Sequence, residues 1–263
     1  MMSNELHLSV SAMEGYCYFF RWLKFFSEKY PSLKEQANEK VKNFIDSEDH
    51  RVKAVVPDLG EFLQLMSLDL EYHWKDIASA YLKECYDRNV LWVVKQCPHL
   101  LDVSDKSEGD ENRLQETLEV TIISKRILLF HVYFLENITR PHNGFNLVEE
   151  LDSNLGKPTK GMRELWQEEV REILEVFSWE EYFSRLGLPM PDKNELLLWL
   201  KKSVTNSERK GYHDLLTENR DRRSRYERES PFWNARDRKR GGSRSDRPRE
   251  SGKREIVVKR REK

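Results

Sequence analysis

Arginine is the residue type whose number and spacing in this sequence best suit a specific chemistry. Among residues 208–263 arginine outnumbers lysine by 15 to 5. The planar guanidinium group donates paired hydrogen bonds to phosphate, and neutralising phosphates releases their counterions. The sequence therefore predicts contact with RNA through a set of basic residues, namely Arg220, Arg222, Arg223, Arg225, Arg228, Arg236, Arg238, Lys239 and Arg240.

Aromatic and aliphatic residues interrupt this basic segment. Tyr226, Phe232 and Trp233 are able to stack on unpaired bases. The sequence also predicts two partner-binding motifs: one fills a pocket and the other adds a strand to a sheet edge. These motifs are the pair Phe232 and Trp233 and the run Ile256, Val257 and Val258.

The same segment contains two clusters that match nuclear-import signals. The first is Arg238, Lys239 and Arg240, and the second is Lys259, Arg260 and Arg261. A mixed-charge tail that serves only solvation is the alternative, because acidic residues such as Asp221 and Asp237 dilute the positive charge.

Cysteine and histidine are too scattered to predict a metal site. Cys97 and His99 form the closest group, and Cys85 lies twelve residues before Cys97. No Cys-x-x-Cys or His-x-x-x-His pair occurs. The sequence also has no Gly-x-Ser-x-Gly motif and no glycine-rich phosphate loop. We therefore expect no metal, no cofactor and no catalytic residue, and an enzyme with dispersed catalytic groups is the third interpretation of function.

Charge divides the sequence into two parts. The net charge of −1 conceals 20 basic and 11 acidic residues in 208–263, which give +9, and 25 basic and 35 acidic residues in 1–207, which give −10. No apolar run approaches the roughly 18–20 residues that span a bilayer. An odd number of cysteines in a long chain indicates free thiols in a reducing compartment. We expect a soluble protein of the nucleus, the cytoplasm or both, with no membrane association.

Helical periodicity runs through the acidic part of the sequence. Apolar residues recur at three- and four-residue steps, and no strand alternation is present. The sequence predicts an all-α fold, a multi-helix orthogonal bundle of about nine helices over residues 1–206. A disordered arginine-rich tail over 207–263 is expected to follow, because it has too few apolar residues to form a core.

Local patterns mark where individual helices begin and end. Capping pairs at Ser32–Glu35, Asp58–Glu61, Ser178–Glu181 and Asp192–Glu195 predict helix starts, and Gly187 predicts a helix end. The helix from Glu111 to Thr139 is apolar nearly all round, so we expect it at the centre of the bundle.

Three interior features have alternative interpretations. Asp87-Arg88-Asn89 interrupts an apolar run, so it predicts a helix break and either a buried polar network or a binding pocket. His131 is expected to be a hydrogen-bonded core histidine. Six tryptophans are expected in the core, with an exposed subset as the alternative: Trp22, Trp74, Trp92, Trp166, Trp179 and Trp199.

Together these features predict a non-enzymatic intracellular helical adaptor or scaffold. Its helical domain would bind protein, and its arginine-rich tail would contact RNA or direct nuclear import. The alternative is a structural subunit of a larger assembly, whose tail becomes ordered on binding a partner.

Overall fold

The structure is a computed structural model that describes residues 10–68, 70–103, 110–138 and 147–213. The chain divides into two units, Met1–Asp214 and Leu215–Lys263, and every described residue lies in the first, which we call the body. The described residues form helices and connecting turns with no strand. The all-α prediction is therefore confirmed.

Nine α-helices follow one another through the described ranges. They are α1 (Val10–Lys29), α2 (Ser32–Asp46), α3 (Leu59–Gln64), α4 (Trp74–Gln96), α5 (Asp110–Tyr133), α6 (Leu147–Ser153), α7 (Lys160–Leu174), α8 (Trp179–Arg185) and α9 (Lys193–Arg209). Short 3₁₀ turns occupy Glu48–His50, Leu65–Leu68 and Pro98–Leu101, and a π-helical turn, Phe134–Ile138, continues α5.

α4 and α5 are the central helices of the body. α4 packs against α2, α5 and α9, whereas α5 packs against α3, α7, α8 and α9. The main core lies around them and includes the fully buried Ile77 and Leu118. A second, smaller core joins α1, α6, α7 and the π turn through Cys17, Phe20, Phe134, Leu151 and Trp166. The central position expected for the helix beginning near Glu111 is thus observed for α5.

Side-chain caps fix several helix starts as the sequence predicts. Asp58 Oδ1 accepts a hydrogen bond from the Glu61 backbone N–H at 2.9 Å. Ser178 and Glu181 form a reciprocal capping box at the start of α8. Gly187 follows that helix with φ of +67°, a left-handed conformation that glycine adopts without steric cost.

The capping pair predicted at Ser32–Glu35 is wrong. α2 begins at Ser32 itself, with Pro31 in the cap position and no side-chain hydrogen bond to the helix end. Backbone carbonyl groups satisfy the first donors instead, since the N–H of Leu33 donates to Tyr30 and that of Lys34 donates to Pro31. The tight turn between α1 and α2 therefore replaces the cap.

Two predicted boundaries also differ from the structure. α4 runs without a break through Asp87, Arg88 and Asn89, because their side chains find partners inside the body and leave the helical backbone intact. The body extends beyond residue 206, since α9 ends at Arg209 and both Tyr212 and His213 are buried.

Candidate protein interaction surface

One side of α1 exposes a continuous set of aromatic side chains. Six of them have between 38% and 57% of their surface exposed: Tyr18, Phe19, Trp22, Phe25, Phe26 and Tyr30. Because an aromatic side chain has about 150–250 Å² of surface, the exposed part totals roughly 600 Å². That area lies at the upper end of the apolar patches seen on monomeric proteins. We call this surface the α1 aromatic face.

The face arises because α1 is apolar on both of its sides. One side carries the buried Cys17 and Phe20, and it packs against α2, α6 and the Leu65–Leu68 turn. The opposite side carries Trp22 and Phe26, four residues apart, which places them one above the other on the helix. No described element of the body covers that opposite side, so its rings remain exposed.

The exposed rings contact one another along the helix. The centroids of Trp22 and Phe26 are 5.7 Å apart with nearly parallel planes, and Phe25 meets Phe26 edge to face at 5.5 Å. Tyr30 continues the row, 6.4 Å from Phe26. These contacts hold the side chains in place before any partner arrives, which reduces the entropy lost on binding.

One lysine side chain lies beside the aromatic face at its C-terminal end. Lys29 Nζ is 5.5 Å from the ring centre of Tyr30 and 5.9 Å from that of Phe25. This end of the face therefore carries a positive charge.

The tryptophans divide between the core and the surface. Trp74, Trp166 and Trp179 are buried as predicted, but Trp22 and Trp92 expose 57% and 48% of their surface, so the core prediction is wrong for these two. Neighbours cover only one side of α1, and sequence periodicity does not reveal which apolar side has them. The signal that was present is that apolar residues cover more than one side of α1, from Phe20 round to Trp22 and Phe26.

A buried polar network holds the C-terminal end of the body. Glu84 Oε2 and Asp87 Oδ2 on α4 each accept a hydrogen bond of 2.7 Å from Lys210 Nζ. Glu84 Oε1 also accepts from Arg88 Nε and from the Tyr212 hydroxyl group, again at 2.7 Å. The predicted polar network at residues 87–89 is thus present, and it joins α4 to the segment where the tail begins.

Arg88 and Asp87 have different roles in this network. The Arg88 guanidinium group donates to the backbone carbonyls of Arg51, Val56 and Pro57, so it also fixes the loop between α2 and α3. Burial raises the pKa of Asp87 to about 6, although the hydrogen bond from Lys210 acts to lower it. The ionisation of Asp87 therefore changes with pH just below neutrality, which is unusual for an aspartate.

The residues predicted to bind nucleic acid, a protein partner or an import receptor lie between Arg220 and Arg261. All of them are outside the described residues.

The predictions for the histidines and for a metal site fall within the described ranges. His131 Nδ1 accepts a hydrogen bond from Gln64 Nε2 at 3.0 Å, as expected for a core histidine. His99 Nε2 lies 2.5 Å from Glu116 Oε2, and no cluster of three potential metal ligands occurs in the part described.

No described helix is both long and apolar enough to span a bilayer. Comparison with known proteins gives no assignment: no protein-family model, no curated protein and no solved structure matches the chain.

Proposed function

We propose that this chain is a non-enzymatic helical adaptor that binds a partner protein through the α1 aromatic face. The observation that carries the proposal is the set of six exposed aromatic side chains on one side of α1, four of which contact one another in a row. Buried aromatic anchors dominate the energy of protein interfaces, and tryptophan is the residue most enriched among them. Trp22 lies within the row of exposed rings and is the expected anchor.

The expected partner is an amphipathic helix with acidic residues beside its apolar stripe. The aromatic face extends over residues 18–30, a rise of about 18 Å along α1 at 1.5 Å per residue. An elongated ridge of this kind fits the groove of another helix. An acidic side chain on the partner would meet Lys29 at the C-terminal end of the face.

The arginine-rich tail gives the proposed adaptor its second activity, contact with RNA or nuclear import. Arginine forks and interleaved aromatic residues suit unpaired RNA, and the two basic clusters suit an import receptor. The proposal includes the orthogonal arrangement of the helices and a disordered basic tail. The alternative is a structural subunit of a larger assembly, whose tail becomes ordered on binding a partner and which would use the same aromatic face in a permanent interface.

A double substitution tests the aromatic face. Trp22→Ala with Phe26→Ala should abolish capture of the partner by the full chain under nuclease treatment, measured by quantitative mass spectrometry. Trp92→Ala is the matched control, because Trp92 is similarly exposed but lies on α4. With the purified partner, calorimetry should show a loss of affinity of about 100-fold or more. Equal capture by all three proteins would contradict the proposal.

Deletion of residues 214–263 tests the tail. Full-length protein should bind single-stranded RNA with an affinity that falls steeply between 50 and 200 mM salt, by about 300-fold for six phosphate contacts, whereas the truncated body should not bind. A matched variant with lysine at the nine predicted RNA-binding positions retains the charge and should bind more weakly, because lysine lacks the paired donors. Equal RNA binding by the full-length and truncated proteins would refute this part.

Import is tested separately with a fluorescent fusion protein in cells. Alanine at Arg238, Lys239 and Arg240 and at Lys259, Arg260 and Arg261 should remove nuclear accumulation. Unchanged nuclear accumulation would exclude the two clusters as the import signal.

A further inference from the structure

α5 carries a ladder of polar side chains on its buried side. Arg113, Thr117, Thr121 and Lys125 follow one another at intervals of four residues, so they lie along one face of the helix. Each exposes 8% or less of its surface. Polar and charged groups inside a core are costly unless they are hydrogen-bonded or paired, so this ladder requires an explanation.

Lys125 is the most demanding member of the ladder. Its ammonium group is fully buried and donates one hydrogen bond, to Thr121 Oγ1. Three aromatic rings surround it, with the centroids of Trp179, Tyr86 and Tyr182 at 4.6, 5.6 and 5.8 Å from Nζ. In the described part of the chain no carboxylate forms an ion pair with it. The rings stabilise a cation, but they do not neutralise it.

A cavity of about 20 Å³ lies beside this group. All four residues of the α5 ladder line it, and α4, α9 and the 3₁₀ turn at Pro98–Leu101 supply the other walls. The lining includes two cationic side chains, Arg113 and Lys125, and among the described lining residues there is no aspartate or glutamate. This volume accommodates one particle of about the size of a water molecule.

The cavity has more hydrogen-bond donors than its walls use. The Tyr86 hydroxyl group is buried without a hydrogen-bond partner in the described part, and Lys125 has two further N–H donors. By contrast, the hydroxyl groups of Thr121 and Ser203 donate to backbone carbonyls of their own helices. The unused groups are therefore mainly donors beside a buried positive charge.

We propose that this cavity binds a single monatomic anion of the size of chloride. Such an ion would accept hydrogen bonds from Lys125 Nζ and the Tyr86 hydroxyl group, and it would supply the negative charge that the cavity walls lack. A space of about 20 Å³ suits a monatomic anion better than the larger sulfate or gluconate ions. The site is independent of the α1 aromatic face and lies in the main core.

Anion binding is coupled to the protonation of Lys125. Burial lowers the pKa of this lysine to about 8, and the Cys85 thiol on α4 raises it only in its ionised form. The other titratable groups that face Lys125 are Tyr86 on α4 and Tyr182 on α8, and burial raises the pKa of both phenols. A bound chloride ion would raise the pKa of Lys125, so chloride should bind more weakly above pH 8.

The direct experiment is a crystal of the full chain in sodium bromide. The proposal predicts an anomalous bromide peak in the cavity, within hydrogen-bond distance of Lys125 Nζ. In solution at pH 7 and constant ionic strength, replacing gluconate by chloride should raise Tm by about 3–6 °C once chloride exceeds its Kd about tenfold. Sulfate stabilises proteins generally because it is excluded from their surface, so its effect should increase steadily with concentration, whereas the chloride response should saturate.

Two variants separate this site from general salt effects. Tyr86→Phe removes one hydroxyl group with little change in shape and should weaken chloride binding by about tenfold. Lys125→Met should remove the chloride-dependent rise in Tm altogether. Lys160→Met, at an exposed position, is the matched control and should retain the full response.

Each outcome decides the proposal even if Lys125→Met fails to fold, because the bromide crystal and the anion series use the wild-type chain. An anomalous peak in the cavity together with a response restricted to small anions supports it. A cavity occupied only by water, or equal Tm values in chloride and gluconate, overturns it.

Discussion

Replacing Lys210 by methionine perturbs the network that holds the end of the body to α4. The lysine donates hydrogen bonds of 2.7 Å to two buried carboxylates, Glu84 and Asp87. Methionine retains most of the aliphatic length but neither the charge nor the donors. Lys202→Met is the matched control, since Lys202 is exposed on α9, which ends immediately before Lys210, and both lysines line one cleft.

The structure indicates where the cost of Lys210→Met falls. Glu84 retains donors from Arg88 and Tyr212, but Asp87 retains only the Asn206 amide group at 3.4 Å. Breaking a buried ion pair costs about 3–5 kcal/mol. Because Glu84 keeps its other hydrogen bonds, we expect Lys210→Met to lower the free energy of unfolding by about 3 kcal/mol at pH 7.5. The exposed control should lower it by less than about 0.5 kcal/mol.

The pH dependence is the distinguishing signature. The pKa of Asp87 is raised to about 6 in the folded protein from an ordinary value of 3.8, so the folded state binds this proton more tightly than the unfolded state. This group therefore contributes increasing stability as pH falls from 7 towards 4. Without Lys210 the pKa of Asp87 rises further, so the cost of the substitution should shrink as Asp87 becomes protonated.

Urea denaturation at several pH values between 5 and 8 measures both the loss of unfolding free energy and its dependence on pH. The free energy of unfolding of Lys210→Met should approach that of the wild type towards pH 5, and adding Asp87→Asn should recover much of the loss at pH 7.5. A cost below about 1 kcal/mol, as for an exposed ion pair, or a cost independent of pH would refute the reasoning.

Two further predictions concern the backbone and the helix caps. Gly156→Ala should destabilise the body by more than about 1 kcal/mol, because Gly156 has φ of +83° and an added Cβ would lie 2.7 Å from the ring of Tyr18; Gly161→Ala, with no neighbouring atom within 4 Å, is the control in thermal denaturation. Ser178→Ala should cost about 1 kcal/mol through loss of the α8 cap, whereas Ser32→Ala should cost less, since no side chain caps α2; equal losses in urea denaturation would contradict the assignment.

The helical architecture follows largely from local patterns in the sequence. Capping pairs such as Ser178–Glu181 and the glycine at 187 depend on interactions within a few residues, so the sequence predicts them without knowledge of the fold. The sequence alone did not predict that α4 is continuous. Its polar triplet ends no helix because Lys210, 123 residues from Asp87, supplies the partner, and sequence spacing carries no information about such a distant contact.

The α1 aromatic face could not be predicted from the sequence either. Apolar periodicity identifies α1 as a helix, but it does not distinguish its packed side from its exposed side. Both sides carry phenylalanine: Phe20 is buried and Phe26 is exposed. The α5 ladder was more accessible, because polar residues repeated every four positions in an apolar helix are visible in the sequence alone. Apolar residues on more sides of a helix than its neighbours cover, or polar residues along the buried side of a helix, therefore mark a contact that local packing does not account for. In this chain the first pattern leads to the α1 aromatic face and the second to Lys125.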